Sequence, residues 1–109
     1  MSKAQITVLK RTFQKDLLER EITDAGFRQS FEPCPIHREG QSFIAEGWPT
    51  QPEGFCPRAW ADIRHEVEMV MHGATPLWIA SEGKTVTCCN DGLRPVIFRI
   101  ERIESEEDR

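Results

Sequence analysis

Four cysteines, Cys34, Cys56, Cys88 and Cys89, hold most of the chemistry that this chain of 109 residues could perform. Cys56 precedes Pro57, and a helical pattern begins at that proline, so Cys56 takes the N-cap position. A side chain there lies beside backbone N–H groups without helical acceptors and at the positive end of the helix dipole. Both favour thiolate over thiol. The position suits a nucleophile, a redox thiol or a metal ligand; the alternative is a small buried side chain that merely caps the helix.

Cys34 sits in Pro33-Cys34-Pro35-Ile36-His37. The flanking prolines stiffen and extend the backbone, which makes a rigid mount. The Cys-x-x-His spacing would let Cys34 and His37 reach one metal, although His37 by itself reads as an exposed loop histidine. Cys88 and Cys89 are neighbours, so on a regular strand they face opposite ways and only one can join Cys34 and Cys56. Cys89 is the expected outward, active partner, with Val86 and Cys88 pointing inward as core. Both could join a single site only if the strand ended or bulged there.

Thiolate-rich sites favour zinc, copper(I) or iron–sulfur centres. The set Cys34, Cys56 and Cys88 or Cys89 lacks the close Cys-x-x-Cys pairs of common structural zinc sites, so a histidine or a second copy's thiol would complete it. Three further polar residues could position a small anion beside Cys56: Asp62, read as an exposed helix acid or a partner for Arg94, then Asp91 and Arg94 themselves. Their simpler roles are helix solvation, turn chemistry and a surface ion pair. No phosphate-binding glycine loop, Ser/His/Asp arrangement or catalytic carboxylate pair stands out.

The elements that must carry these residues follow from hydrophobic periodicity. Residues 5–13 read as a strand, with Ile6 and Val8 on one face and Leu9 and Phe13 on the other. Residues 16–25 read as a helix with an apolar stripe of Leu17, Leu18, Ile22 and Ala25, terminated by Gly26. Residues 27–41 are rich in turn signals, and 42–46 form a brief strand. Residues 57–72 give the clearest helix: Trp60, Ile63, Val67, Val70 and Met71 share one face, Gly73 follows its end, and His65 and His72 face solvent. Trp48, Trp60 and Trp78 are expected in the core or an interface. Residues 84–89 and 95–103 are strands around an Asn90-Asp91-Gly92 turn, with Val96, Phe98 and Ile100 inward. The order predicts one α+β domain over 1–103: a small, mostly antiparallel sheet of about four strands with two helices, closed into a partial barrel if its edges need cover.

The formal charge is −4, of which residues 101–109 carry −3, so the body offers no electrostatic footprint for nucleic acid and 104–109 read as a solvated, disordered acidic tail. The start of the chain lacks a signal-peptide pattern, and no stretch reaches the roughly 18 apolar residues of a membrane helix. A cytoplasmic protein with reduced thiols is expected, without nucleic-acid or membrane partners, and compatible with a homo-oligomer.

The chain resembles a family of short bacterial and archaeal proteins of unassigned function. The resemblance lies in Ile6-Thr7-Val8-Leu9-Lys10, in Cys34-Pro35 followed by Gly40-Gln41-Ser42-Phe43, in Pro52 through Ile63, and in Cys88-Cys89-Asn90-Asp91-Gly92-Leu93-Arg94-Pro95-Val96-Ile97-Phe98. It implies small size and cysteine-centred motifs, with no agreed activity. Asp62, Asp91 and Arg94 fall inside these motifs; His37 and His72 do not. Three functions follow as expectations: a transition-metal or iron–sulfur domain; a thiol-dependent enzyme with Cys56 as thiolate and Asp62, Asp91 and Arg94 around a small anionic substrate; and an interaction domain presenting Trp48 or Trp78, its cysteines buried.

Overall fold

The computed structural model describes residues 3–79 and 83–103, and the expected tail at 104–109 lies outside them. Strand β1 (Lys3–Arg11) alternates as its sequence suggests: Ala4, Ile6 and Val8 are buried and the residues between them are not. It occupies the centre of an antiparallel sheet with β2 (Ser42–Glu46) on one side and β4 (Val96–Ile103) on the other. Strand β3 (Lys84–Cys88) completes the order β2-β1-β4-β3. The sheet is open, with β2 and β3 as its edges, so the partial barrel does not form.

Helices α1 (Lys15–Glu21), α2 (Ala25–Ser30) and α3 (Pro57–Met71) make three rather than two. The expected helix over 16–25 is divided. Ile22 is extended, and Asp24 caps a new helix by accepting the Phe27 N–H at 3.0 Å. Gly26 therefore lies inside α2 instead of ending α1. An Asp with free N–H groups ahead of it is a helix start, and here it outweighs the continuing apolar stripe.

Helix α3 follows its periodicity closely. Ala59, Trp60, Ile63, Val67, Val70 and Met71 are buried against the face formed by Ala4, Ile6, Val8, Ala45, Val96, Phe98 and Ile100. His72 is the C-cap, and Gly73 follows at φ 92°, a left-handed conformation that needs no Cβ. Of the three tryptophans only Trp60 joins this core; Trp48 and Trp78 are exposed. Arg64 and Glu68 lie 3.9 Å apart on the wet side, as their i,i+4 spacing suggests. No helix among the described residues is long and apolar enough to cross a membrane.

Two details of register shape the site. In the β1–β4 ladder Val8 pairs with Phe98 but Lys10 pairs with Ile97, so Leu9 is an extra, bulged residue. The bulge reverses the alternation: Arg11, opposite the buried Val96, now shares the inner face with Ile6 and Val8. In the β3–β4 ladder Thr85 pairs with Ile100 and Thr87 with Phe98, so the threonines face the core and Val86 and Cys88 face solvent. The expected inward Val86 and Cys88 are thus corrected. On this edge strand the inner positions go to threonine, whose methyl group packs while its hydroxyl stays polar, and the apolar valine lies outside.

Candidate functional site

One pocket of about 110 Å³ opens where the N-terminus of α3, the end of the β3–β4 hairpin and the Pro33–His37 loop converge. Cys34, Cys56 and Cys89 line it from three separate segments, and Asp62, Asp91 and Arg94 line it with them. All four cysteines are free thiols. Cys88 alone of the expected set stands outside. It is exposed on the opposite face of β3, which contradicts both a core position and a shared site with Cys89. Cys89 reaches the pocket because it continues the inward parity of Thr85 and Thr87.

Each thiol is held by a different backbone tie. Cys56 is the N-cap of α3, and its backbone N–H donates to His37 Nε2 at 3.3 Å while its carbonyl accepts from Trp60. Its side chain makes no capping hydrogen bond. Pro57 supplies no N–H, so the Arg58 and Ala59 residues beside the pocket present the first amides of the helix. Cys34 is fixed through its carbonyl, which accepts from Arg11 Nη1 at 2.9 Å. That bond exists because the Leu9 bulge turned Arg11 inward. Cys89 closes the hairpin: its N–H donates to the Val96 carbonyl at 3.2 Å, and the Val96 N–H donates to Cys89 Sγ at 3.4 Å.

The two acids act on the backbone. Asp62, six residues beyond Cys56 on α3, accepts the Asn90 N–H at 2.8 Å through Oδ2. It ties the residue after Cys89 to α3 and does not pair with Arg94. Asp91 closes its own turn by accepting the N–H groups of Leu93 (3.1 Å) and Arg94 (3.2 Å) on Oδ1, and it accepts Arg94 Nε on Oδ2 at 3.1 Å. Burial raises its carboxyl pKa, but these hydrogen bonds outweigh burial and leave it below the ordinary 3.8. Arg94 is further braced over the Phe31 ring at 5.1 Å. The segment carrying it is laced to the connection between β1 and α1 by Gln14 N–H to the Leu93 carbonyl (2.7 Å) and Thr12 N–H to the Pro95 carbonyl (2.9 Å).

His37 departs most from expectation. It is 1% exposed, packed among Phe43, Phe55 and Phe98 with ring centroids 4.9 to 5.7 Å away. Because Nε2 accepts from Cys56, the proton belongs on Nδ1, which faces Gln41 Oε1 at 3.4 Å. Burial lowers its pKa below the ordinary 6.5, against a smaller opposing contribution from Gln41. The imidazole is therefore a neutral prop beneath Cys56, and the lone pair that a metal would need is already engaged. Gln41, Asn90 and Arg11 also escaped sequence reasoning. Gln41 had a signal, since it lies in the Gly40-Gln41-Ser42-Phe43 motif.

Among the described residues no group of three or more His, Cys, Asp or Glu is arranged to hold a metal ion. The pocket offers instead three sulfurs, two arginines and the first amides of a helix, with its carboxylates occupied by backbone donors. No family model, curated protein or solved structure matches the chain.

Proposed function

We propose that the pocket performs thiol chemistry on a small anionic molecule, with Cys56 as the reacting sulfur and Arg94 as the group that holds the substrate's charge. The carrying observation is the convergence of Cys34, Cys56 and Cys89 with Arg94 on one pocket. A helix N-terminus favours an anion placed against it, whether a thiolate or a bound substrate. Asp91 and Asp62 are positioning residues, because each reaches the pocket's chemistry through the backbone or the guanidinium it holds. The volume is well below the roughly 300–1,000 Å³ of drug-sized ligand sites, so the substrate is a molecule of a few heavy atoms or the end of a larger one. The reading requires reduced thiols, which agrees with a cytoplasmic setting.

Competitive alkylation tests it, with exposed Cys88 as the internal reference. Iodoacetate and iodoacetamide differ in charge but share one displacement at sulfur. The preference for the charged reagent should be about tenfold greater at Cys56 than at Cys88, equivalent to about 1.4 kcal/mol, and Arg94→Gln should remove it. Equal preferences at the two sites would defeat the proposal. A second reading uses the same sulfurs as ligands for a soft ion such as zinc or an iron–sulfur centre, favoured by three thiols on one cavity. It requires the pocket to contract around the ion; elemental analysis and an absorption spectrum of anaerobically purified protein decide it.

A further inference from the structure

We infer that Cys89 is the resolving thiol for Cys56, and that the pair reduces small anionic disulfides. The inference rests on Cys56 being the reacting sulfur and adds a partner and a substrate class. Three thiols on one pocket exceed what a simple nucleophile needs. Of the two available partners, Cys89 is the one whose own sulfur is held by a hydrogen bond and whose adjacent residue is bonded to α3. Asp62 Oδ2 accepts the Asn90 N–H at 2.8 Å, so the residue after Cys89 is bonded to the same helix that Cys56 caps. The Val96 N–H on Cys89 Sγ fixes the second sulfur at the hairpin end. Cys34 is anchored to β1 through Arg11, and its loop meets α3 only three residues further on, where His37 accepts the Cys56 N–H.

The chemistry balances in two exchanges. The Cys56 thiolate attacks one sulfur of the substrate R–S–S–R, forming Cys56–S–S–R and expelling RS⁻. The Cys89 thiolate then attacks the Cys56 sulfur, forming the Cys56–Cys89 disulfide and expelling the second RS⁻. The substrate gains the two electrons that the protein dithiol loses, and each protein thiol gives its proton to solvent. Carboxylates on R meet Arg94, and only the near half of the disulfide has to enter so small a cavity.

The test uses dithiobis-nitrobenzoate, an anionic aromatic disulfide whose released half absorbs visibly. In the double variant Cys34→Ser/Cys88→Ser, a stoichiometric amount should release both halves. Intact mass should show no retained adduct, and peptide mapping should join Cys56 to Cys89. Adding Cys89→Ser should stop the reaction after the first release and leave the adduct on Cys56. Asp62→Ala should slow the second release about tenfold relative to the first, and Asp62→Asn, which keeps an acceptor, should restore the ratio. A stable adduct on Cys56 with Cys89 present, or a Cys56–Cys34 linkage in the wild-type chain, would overturn the inference. Mapping the wild-type protein decides the pairing even if a serine variant does not fold. The neutral dipyridyl disulfide separates the two proposals. If the pair closes equally fast with both reagents, the pairing stands and the anion-binding role of Arg94 falls; if Cys56 prefers the anionic reagent yet keeps its adduct, the reverse holds.

Discussion

Replacing His37 by phenylalanine should abolish a loss of stability that begins as pH falls below about 6.5. The side chain is buried in an aromatic cluster that includes Phe43, Phe55 and Phe98. In the folded protein Nε2 accepts the Cys56 N–H, so a second proton would place two donors face to face. Desolvation is the larger cause that keeps the ring neutral, and its folded pKa lies below the unfolded 6.5. Between those two values the unfolded chain binds a proton that the native chain refuses. The stabilisation is complete above pH 6.5 and is lost as pH falls toward the folded pKa, by at most about 1.4 kcal/mol per pH unit.

His37→Phe keeps a ring of similar size and removes the titration. It also leaves the Cys56 N–H without its acceptor, which costs about 1–3 kcal/mol. That is a sizeable part of the 5–15 kcal/mol typical of a domain and equals roughly 4–8 °C of Tm per kcal/mol at this size. Urea denaturation midpoints measured from about pH 7.5 to about pH 5 provide the assay, within the range where histidine titrates. The variant should be weaker than wild type at the upper end, and the two curves should converge at the lower end. His65 and His72 are present in both proteins and drop out of the difference. Parallel curves would refute the placement of His37 as a buried neutral prop.

Asp91→Ala removes three hydrogen bonds to Leu93 and Arg94. It should cost about 1–3 kcal/mol and reduce the iodoacetate preference at Cys56. Because the folded Asp91 pKa lies below 3.8, its contribution is present above that pH and disappears as pH falls through the folded value, an acid limb that the alanine variant should lack in a denaturation series. Arg11→Leu frees the Cys34 carbonyl and should raise the alkylation rate of Cys34 severalfold while leaving Cys88 unchanged, read by peptide mass spectrometry. Ile63→Ala, at a fully buried position of α3, should lower stability by about 2–5 kcal/mol in urea, with the thiol pattern retained under conditions where the fold persists.

Helix α3 and strand β4 were legible because their partners do not alter their periods. A run of apolar residues at helical spacing buries the same stripe whatever it packs on, and Val96, Phe98 and Ile100 lie inward by simple alternation. Strand β3 was not legible to the same degree. Val86 between two threonines can face either way in isolation, and only pairing with Ile100 and Phe98 turns the threonines inward. The rule that Cys88 and Cys89 must face opposite sides survived that reversal, since it depends on backbone geometry alone. His37 defeated composition-based reasoning for another reason. A polar ring in a proline-rich loop looks solvated until two partners, Gln41 and the Cys56 amide, satisfy both of its nitrogens. Those partners become visible only after the loop has closed over the sheet.

The site depends on counts of residues as much as on their identity. Without the extra residue at Leu9, Lys10 would follow Ile6 and Val8 onto the inner face of β1, and Arg11 would point to the opposite side. The Cys34 carbonyl would then lose its donor, and the Pro33–Pro35 loop would lose its tie to the sheet. Likewise Cys89 reaches the pocket by following Thr85 and Thr87 at intervals of two, and Asp91 lies far enough beyond it to turn the chain back toward β4. Each thiol is thus placed by backbone arithmetic on a different rigid element, and each is secured by a polar group that is not itself reactive: Arg11 for Cys34, His37 for Cys56, and Asp62 with the Val96 amide for Cys89. Each tie satisfies a polar group and so also stabilises the fold, and together they bring three sulfurs to one small cavity. Their convergence is the physical reason to read the pocket as a reaction site and Cys88, on the wet face of β3, as a bystander.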